Sequence, residues 1–175
     1  MANVNLNPTS DIVSLWLPSA VAPHYSLIDE GMARPVTTDY VYADALGLVD
    51  TYGFTFADNG EDIVSLQMRI YAGGALGSCY NVKLKVSDGV TDYAAGTVNP
   101  SEGTFKEGNA TMTTNPFTGD PWTWAELESG VYKFSIESTI GDGTNQVQVA
   151  TMALLIVTEI PSGNKIIGDG LTNLI

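Results

Sequence analysis

"CYNVKLKVSDGVTDYAAGTV", residues 79–98, alternates through its first half: Tyr80, Val82, Leu84 and Val86 fall on one side, Lys83 and Lys85 on the other. Successive side chains of a strand point to opposite faces, so this period of two marks a strand with one wet face and excludes an amphipathic helix. Asp88 and Gly89 then separate it from a second strand-like run at 90–98, and Asp-Gly readily takes the positive φ angles of a tight turn. The stretch predicts an antiparallel hairpin over residues 79–98.

The same period extends outward. In "DIVSLQMRIY" (62–71), Val64, Leu66, Met68 and Ile70 share one face, and Ser65, Gln67 and Arg69 share the other. "VYKFSIES" (131–138) puts Tyr132, Phe134 and Ile136 together. In "QVQVATMALLIVTEI" (146–160) alternation gives way to a continuous apolar run, the pattern of a strand buried on both faces. "IVSLWLP" (12–18), "DYVYA" (39–43) and "TYGFTF" (51–56) read as shorter strands. Residues 1–11 read as polar and turn-prone, 18–35 as a proline-rich loop, and 99–109 as a Gly/Ser/Asn-rich loop followed by the short run "ATMTT". About seven to nine strands with one short helix predict an all-β fold, an antiparallel, jelly-roll-like β-sandwich. The expected division of this single domain is an N-terminal arm, first strand and loop (1–36), a sandwich core (37–160) and a C-terminal arm (161–175).

The helix comes from "TTNPFTGDPWTWAELESG" (113–130). Thr123 and Glu126 have capping-box spacing, in which each side chain bonds the other residue's amide. Gly130 is placed to stop the helix in a left-handed conformation. "WTWAELES" (122–129) is thus a helix of about two turns held by its ends. Trp122 and Trp124 offer the area to plug an open end of the sandwich; the same rings could instead form a platform on which sugars stack.

Composition narrows the function. Seven basic and 20 acidic residues give a formal charge of -13, which repels phosphate backbones and anionic membranes alike, so neither nucleic acid nor membrane is an expected partner. Cys79 is the single cysteine, so no internal disulfide forms and a buried structural thiol is expected. The start "MANVNLNPTSDI" lacks a basic and apolar leader, and the most apolar run, 149–157, is too short for a spanning helix. A soluble chain made in a host cytoplasm is the expectation.

No catalytic set emerges, and no enzyme is expected. His24 is the single histidine, read as an exposed loop residue rather than a general base. The pairs Glu102/Glu107 and Glu126/Glu128 have the residue type for glycoside hydrolysis, but Glu126 is better explained as a cap and the first pair lies in a glycine-rich loop. No histidine and cysteine cluster offers a metal site. The oxygen-rich loops "DNGED" (58–62) and "GDGTN" (141–145) do not follow the calcium-loop pattern and are explained by turn chemistry. No phosphate loop follows a strand and opens a helix. No cofactor is expected.

The segment around the helix resembles a signature of tailed-bacteriophage virion proteins, "NP-x-T-G-x-x-W-T" leading into a short helix that ends in glycine. The matching residues are Asn115, Pro116, Thr118, Gly119, Trp122, Thr123 and Gly130, with Trp124 and Glu126 inside the helix. The upstream order is similar as well: "DYVYA", "TYGFTF", the long strand 62–71, then Gly89, Asp92 and Tyr93 in a "G-x-x-D-Y" element. The likeness spans about residues 37–160 and neither terminus, and the helix is shorter here than in many relatives. It implies a non-enzymatic β-sandwich of the head surface (a decoration or cement protein) or of the tail, resident in the virion, with other virion proteins and further copies of itself as partners. The alternative is a carbohydrate-binding module using Trp16, Trp122 and Trp124. In the glycine-broken tail, Ile166, Ile167, Leu171, Leu174 and Ile175 are expected to make assembly contacts as an arm on a neighbour, or else to pack on their own domain.

Overall fold

The structure is a computed structural model and describes residues 1–32, 37–74, 80–100, 103–139 and 146–161. Among these, eleven strands run in chain order: β1 (Ala2–Leu6), β2 (Ser10–Ser14), β3 (Leu17–Pro18), β4 (Val41–Ala43), β5 (Val49–Gly53), β6 (Asp62–Gly74), β7 (Asn81–Ser87), β8 (Asp92–Val98), β9 (Lys106–Met112), β10 (Lys133–Thr139) and β11 (Val147–Glu159). The helix α1 spans Trp124–Glu128, and a 3-10 turn spans His24–Leu27. One sheet has the order β3-β4-β11-β6-β9, with β1 also on β11; the other has the order β2-β5-β10-β7-β8. Every pairing is antiparallel. The fold is an antiparallel β-sandwich.

The core lies between the sheets and follows the period of two. Leu66, Met68 and Ile70 of β6, Val82, Leu84 and Val86 of β7, and Phe134 and Ile136 of β10 are all buried; each such side chain contributes about 1.5–3 kcal/mol. The alternation in β6 breaks at one point. Val64, expected on the core face, is only half-buried, whereas Ile63 and Ser65 are buried. The register with β11 slips there, pairing Val157 with Ser65 but Thr158 with Ile63, so Val64 is the extra residue of a bulge. A second slip between Val149 and Thr151 sets Ala150 apart. Through this region β11 is buried on both faces: Val149, Ala150, Thr151, Met152, Ala153 and Leu154 are at most 2% exposed.

Three expectations need correction. The N-terminal segment is not an arm with one strand. Residues 2–6 pair with β11, 10–14 cross to β5 in the other sheet, and 17–18 return to β4, so the chain stitches both sheets along one side of the sandwich. Trp16 sits at the second crossing, 2% exposed, with its indole N–H donating to the Leu48 carbonyl at 2.8 Å. The Gly/Ser/Asn-rich loop expected over 99–109 ends early, since β9 starts at Lys106. The hairpin forms as expected with Gly89 at φ 88°, but its turn is longer than two residues: the Asp88 carboxylate accepts from the amides of Val90 and Thr91. Cys79, Glu102, the loop 141–145 and residues 162–175, including Ile166, Ile167, Leu171, Leu174 and Ile175, lie outside the described residues.

On the side opposite the N-terminal stitch, the sheet edges β8 and β9 meet directly. A Cβ on Gly108 would stand 2.3 Å from Val98 Cγ1, and one on Gly96 would stand 2.8 Å from Ala110 Cβ. Glycine is required at both positions because the two backbones close the sandwich here.

Candidate functional site

The residues of the 113–130 stretch form a corner at one end of the sandwich. Asn115 is fully buried and ties it together. Its amide nitrogen donates to Glu126 Oε1 at 3.0 Å and to Tyr132 Oη at 2.7 Å, while its side-chain oxygen accepts from the Phe117 amide at 3.0 Å. Its backbone N–H donates to the Asp120 carbonyl and its carbonyl accepts from Gly119 N–H, both at 2.8 Å. Gly119 takes φ 82° to close that turn, Pro116 lies inside it, and Thr118 Oγ1 accepts from the Asp120 amide at 3.3 Å. The capping box is present: Thr123 Oγ1 accepts from Glu126 N–H, and Glu126 Oε2 accepts from Thr123 N–H. The helix is shorter than the expected 122–129, five residues ending at the Ser129 cap, with Gly130 at φ 70°.

Trp122 and Trp124 are 2% and 6% exposed. Trp122 packs edge-on against Tyr132 at 5.2 Å, and Trp124 donates its indole N–H to the Glu61 carbonyl at 2.8 Å. Together with Trp16, all three tryptophans therefore lie inside the molecule, and none offers a ring face to a sugar. The platform on which the carbohydrate-binding alternative rested is absent.

Beside the helix is an open hollow of about 650 Å³ whose lining includes Asp58, Glu61, Asp62, Trp122, Trp124 and Glu159. The "DNGED" loop forms its rim as two successive side-chain turns: Asp58 Oδ1 accepts from Gly60 N–H and Asn59 Oδ1 from Glu61 N–H. Glu61 Oε2 also bonds Thr158 Oγ1. Among the described residues no three carboxylate, histidine or cysteine side chains converge as a metal-binding set.

Of the glutamates read as possible catalytic pairs, Glu107, Glu126 and Glu128 are occupied elsewhere, and Glu102 lies outside the described residues. Glu107 pairs with Arg69 at 2.8 Å, Glu126 caps the helix, and Glu128 accepts from the Asp58 amide at 2.8 Å. On the outer face of β7, Lys83 and Lys85 grip Glu137 at 2.8 and 2.9 Å, and Lys85 also holds Asp92 at 2.5 Å. The Lys85 hydrogen bond keeps the Asp92 carboxyl below its ordinary range. Burial pushes Glu137 upward, but its bonds from Lys83 and Lys85 outweigh that and hold it low.

His24 is not the exposed loop residue expected from the sequence. It is 8% exposed, and its Nδ1 lies 2.6 Å from Oδ2 of the fully buried Asp50. The same Asp50 oxygen accepts from Tyr52 Oη at 2.9 Å, and Oδ1 accepts from the amides of Leu15 and Trp16 at 2.7 and 2.8 Å. Asp11 accepts from the amides of His24 and Tyr25. Burial, then the Asp50 charge, pushes the Tyr52 phenol well above its ordinary value. Four donors converge on one carboxylate, and they tie residues 11–25 to β5. This is a fastening inside the protein: His24 is held as a partner of Asp50.

No protein-family profile and no curated protein matches the chain. Similar solved structures include the CBM36-1 domain of a multidomain xylanase from the hindgut metagenome of Trinervitermes trinervoides, at 12% identity and TM-score 0.42, covering 89% of this chain and 97% of that one. Another is a carbohydrate-binding module CBM36 in complex with calcium and xylotriose, at 15% identity and TM-score 0.41, covering 90% and 100%. A family 29 carbohydrate binding module stands at 7% identity and TM-score 0.42, covering 89% and 90%. At this level of likeness nothing about binding transfers to this chain.

Proposed function

We propose that this chain is a non-catalytic structural component of a tailed-phage particle, on the head surface or in the tail, acting through contacts with other virion proteins and with copies of itself. The observation that supports this reading best is the corner. Of the residues that carry the resemblance to virion proteins, Asn115 and Gly119 bond each other, Asn115 and Thr123 both bond Glu126, and Thr118 and Gly130 shape the adjoining turns. A motif built this way fixes a shape and leaves function to the surfaces around it. Mass spectrometry of purified particles tests the reading: the chain is expected in intact virions at a fixed copy number, and its absence from them ends the proposal.

A glycan ligand is the second reading. With the indoles buried, its place is the hollow beside α1, where Asp58, Asp62 and Glu159 can accept from sugar hydroxyls. Calorimetric titration with neutral oligosaccharides tests this, and Asp62→Ala should abolish any heat observed.

A further inference from the structure

The loop at residues 58–61 holds an arrangement that neither functional reading uses. Asn59–Gly60 is the chain's single Asn-Gly step, and Asp58, Asn59 and Gly60 are all exposed. In such a step the glycine nitrogen can attack the asparagine Cγ and close a five-membered ring, because glycine has no side chain to obstruct the approach. Gly60 stands at φ 78° with open space around it. Its neighbours supply what the reaction needs. The Gly60 N–H donates to Asp58 Oδ1 at 2.7 Å, so a carboxylate already holds the proton that the nucleophile must lose. The Glu61 N–H donates to Asn59 Oδ1 at 3.0 Å, the oxygen on which negative charge gathers as Cγ becomes tetrahedral. Asn59 Nδ2, the leaving group, lies 3.5 Å from both Glu61 Oε2 and Thr158 Oγ1, which bond each other. Two anchors keep these parts in place: Glu128 Oε1 accepts from the Asp58 amide at 2.8 Å, and Thr158 is fully buried.

We propose that this loop catalyses the deamidation of its own Asn59. The Gly60 nitrogen bonds to Asn59 Cγ while Asp58 takes its proton as a general base. The Glu61 N–H steadies the oxyanion, as a fixed amide donor does in acyl transfer. The Cγ–Nδ2 bond then breaks, the proton passes from Asp58 through water to Nδ2, and ammonia leaves behind a cyclic imide. Water opens the imide at either carbonyl and gives aspartate or isoaspartate at position 59. The sum is hydrolysis of one side-chain amide, water in and ammonia out, with no change of oxidation state. The product places a further negative charge on the rim of the hollow beside α1. As isoaspartate it also lengthens the backbone by one carbon, which undoes the turn at Glu61, the residue whose carbonyl receives the Trp124 indole. The rim of the hollow thus changes with the age of the protein. This holds whether or not the virion and glycan readings do.

Peptide mapping by mass spectrometry tests it on the full chain, kept at neutral pH either folded or in urea. The expected result is replacement of NH2 by OH at residue 59, faster in the folded chain than in the unfolded one. Unfolding keeps the Asn-Gly step and removes the positioning, so the comparison separates the loop's own catalysis from the ordinary lability of the dipeptide. Asp58→Ser keeps an acceptor for the Gly60 amide but no carboxylate for its proton. It should slow conversion in the folded chain at least about tenfold. The comparison of folded and unfolded wild-type chains needs no variant and decides the question if Asp58→Ser does not fold. A folded chain that keeps its asparagine at 59, or converts it no faster than the unfolded chain, overturns the proposal. So does a folded Asp58→Ser chain that converts as fast as the original. Neither result bears on whether the chain is found in virions.

Discussion

Asp50 holds more of this molecule together than any other charged side chain described. A carboxylate with no exposed surface is tolerable only if its lone pairs are satisfied, and Leu15, Trp16, His24 and Tyr52 satisfy them. Asp50→Asn keeps the shape but turns a donor toward one of those donors, and should cost about 3 kcal/mol. Urea unfolding measures it; a loss below about 1 kcal/mol would mean the network is not the fastening described. The sequence carried a faint sign of this. Asp50 lies two positions before Tyr52, hence on the same strand face, and an aspartate facing inward with an aromatic demands partners. Nothing local says which, because His24 lies 26 residues away in a proline-rich stretch. Capping, by contrast, acts across three residues, and that is why Thr123 and Glu126 were legible while Asn115, whose partners are Glu126 and Tyr132, could be recognised but not explained.

The elements read well where burial imposes a period and poorly where pairing alone makes the strand. β7 and β10 alternate because one face is core. β1, "ANVNL", turns Val4 and Leu6 toward the core, but its asparagines and the nearby Pro8 read as turn, and its pairing with β11 is a tertiary effect that propensity does not show. β9 was hidden by Gly108, which looked like loop composition and is instead dictated by Val98 across the sandwich. This gives a test at the scale of two strands. Gly108→Ala should destabilise by about 1–3 kcal/mol through overpacking, and Val98→Ala in the same chain should recover most of that loss. Thermal melting of the single and double variants checks it; additive losses would mean that the two strands do not touch as described.

For the whole molecule, acid exposes how the charges are arranged. Asp92 and Glu137 have folded values below their unfolded ones, so their contribution is present above about pH 4.5 and is lost as pH falls through the lowered values. Lys85→Met removes the cation they share and should flatten the fall in melting temperature between about pH 5 and 3; parallel curves for the two proteins would exclude the linkage. Relief of the general acidic repulsion works in the opposite direction but is common to both chains, so the difference isolates the cluster. The stitch along the open side has a consequence in time. Ala2 pairs with Thr158 and Leu6 with Leu154, so β1 waits for β11 before it has a partner. Closing so long a loop is entropically slow. The nascent chain therefore carries β1 without its partner until β11 has emerged, whereas β2 and β3 can pair with β5 and β4 long before.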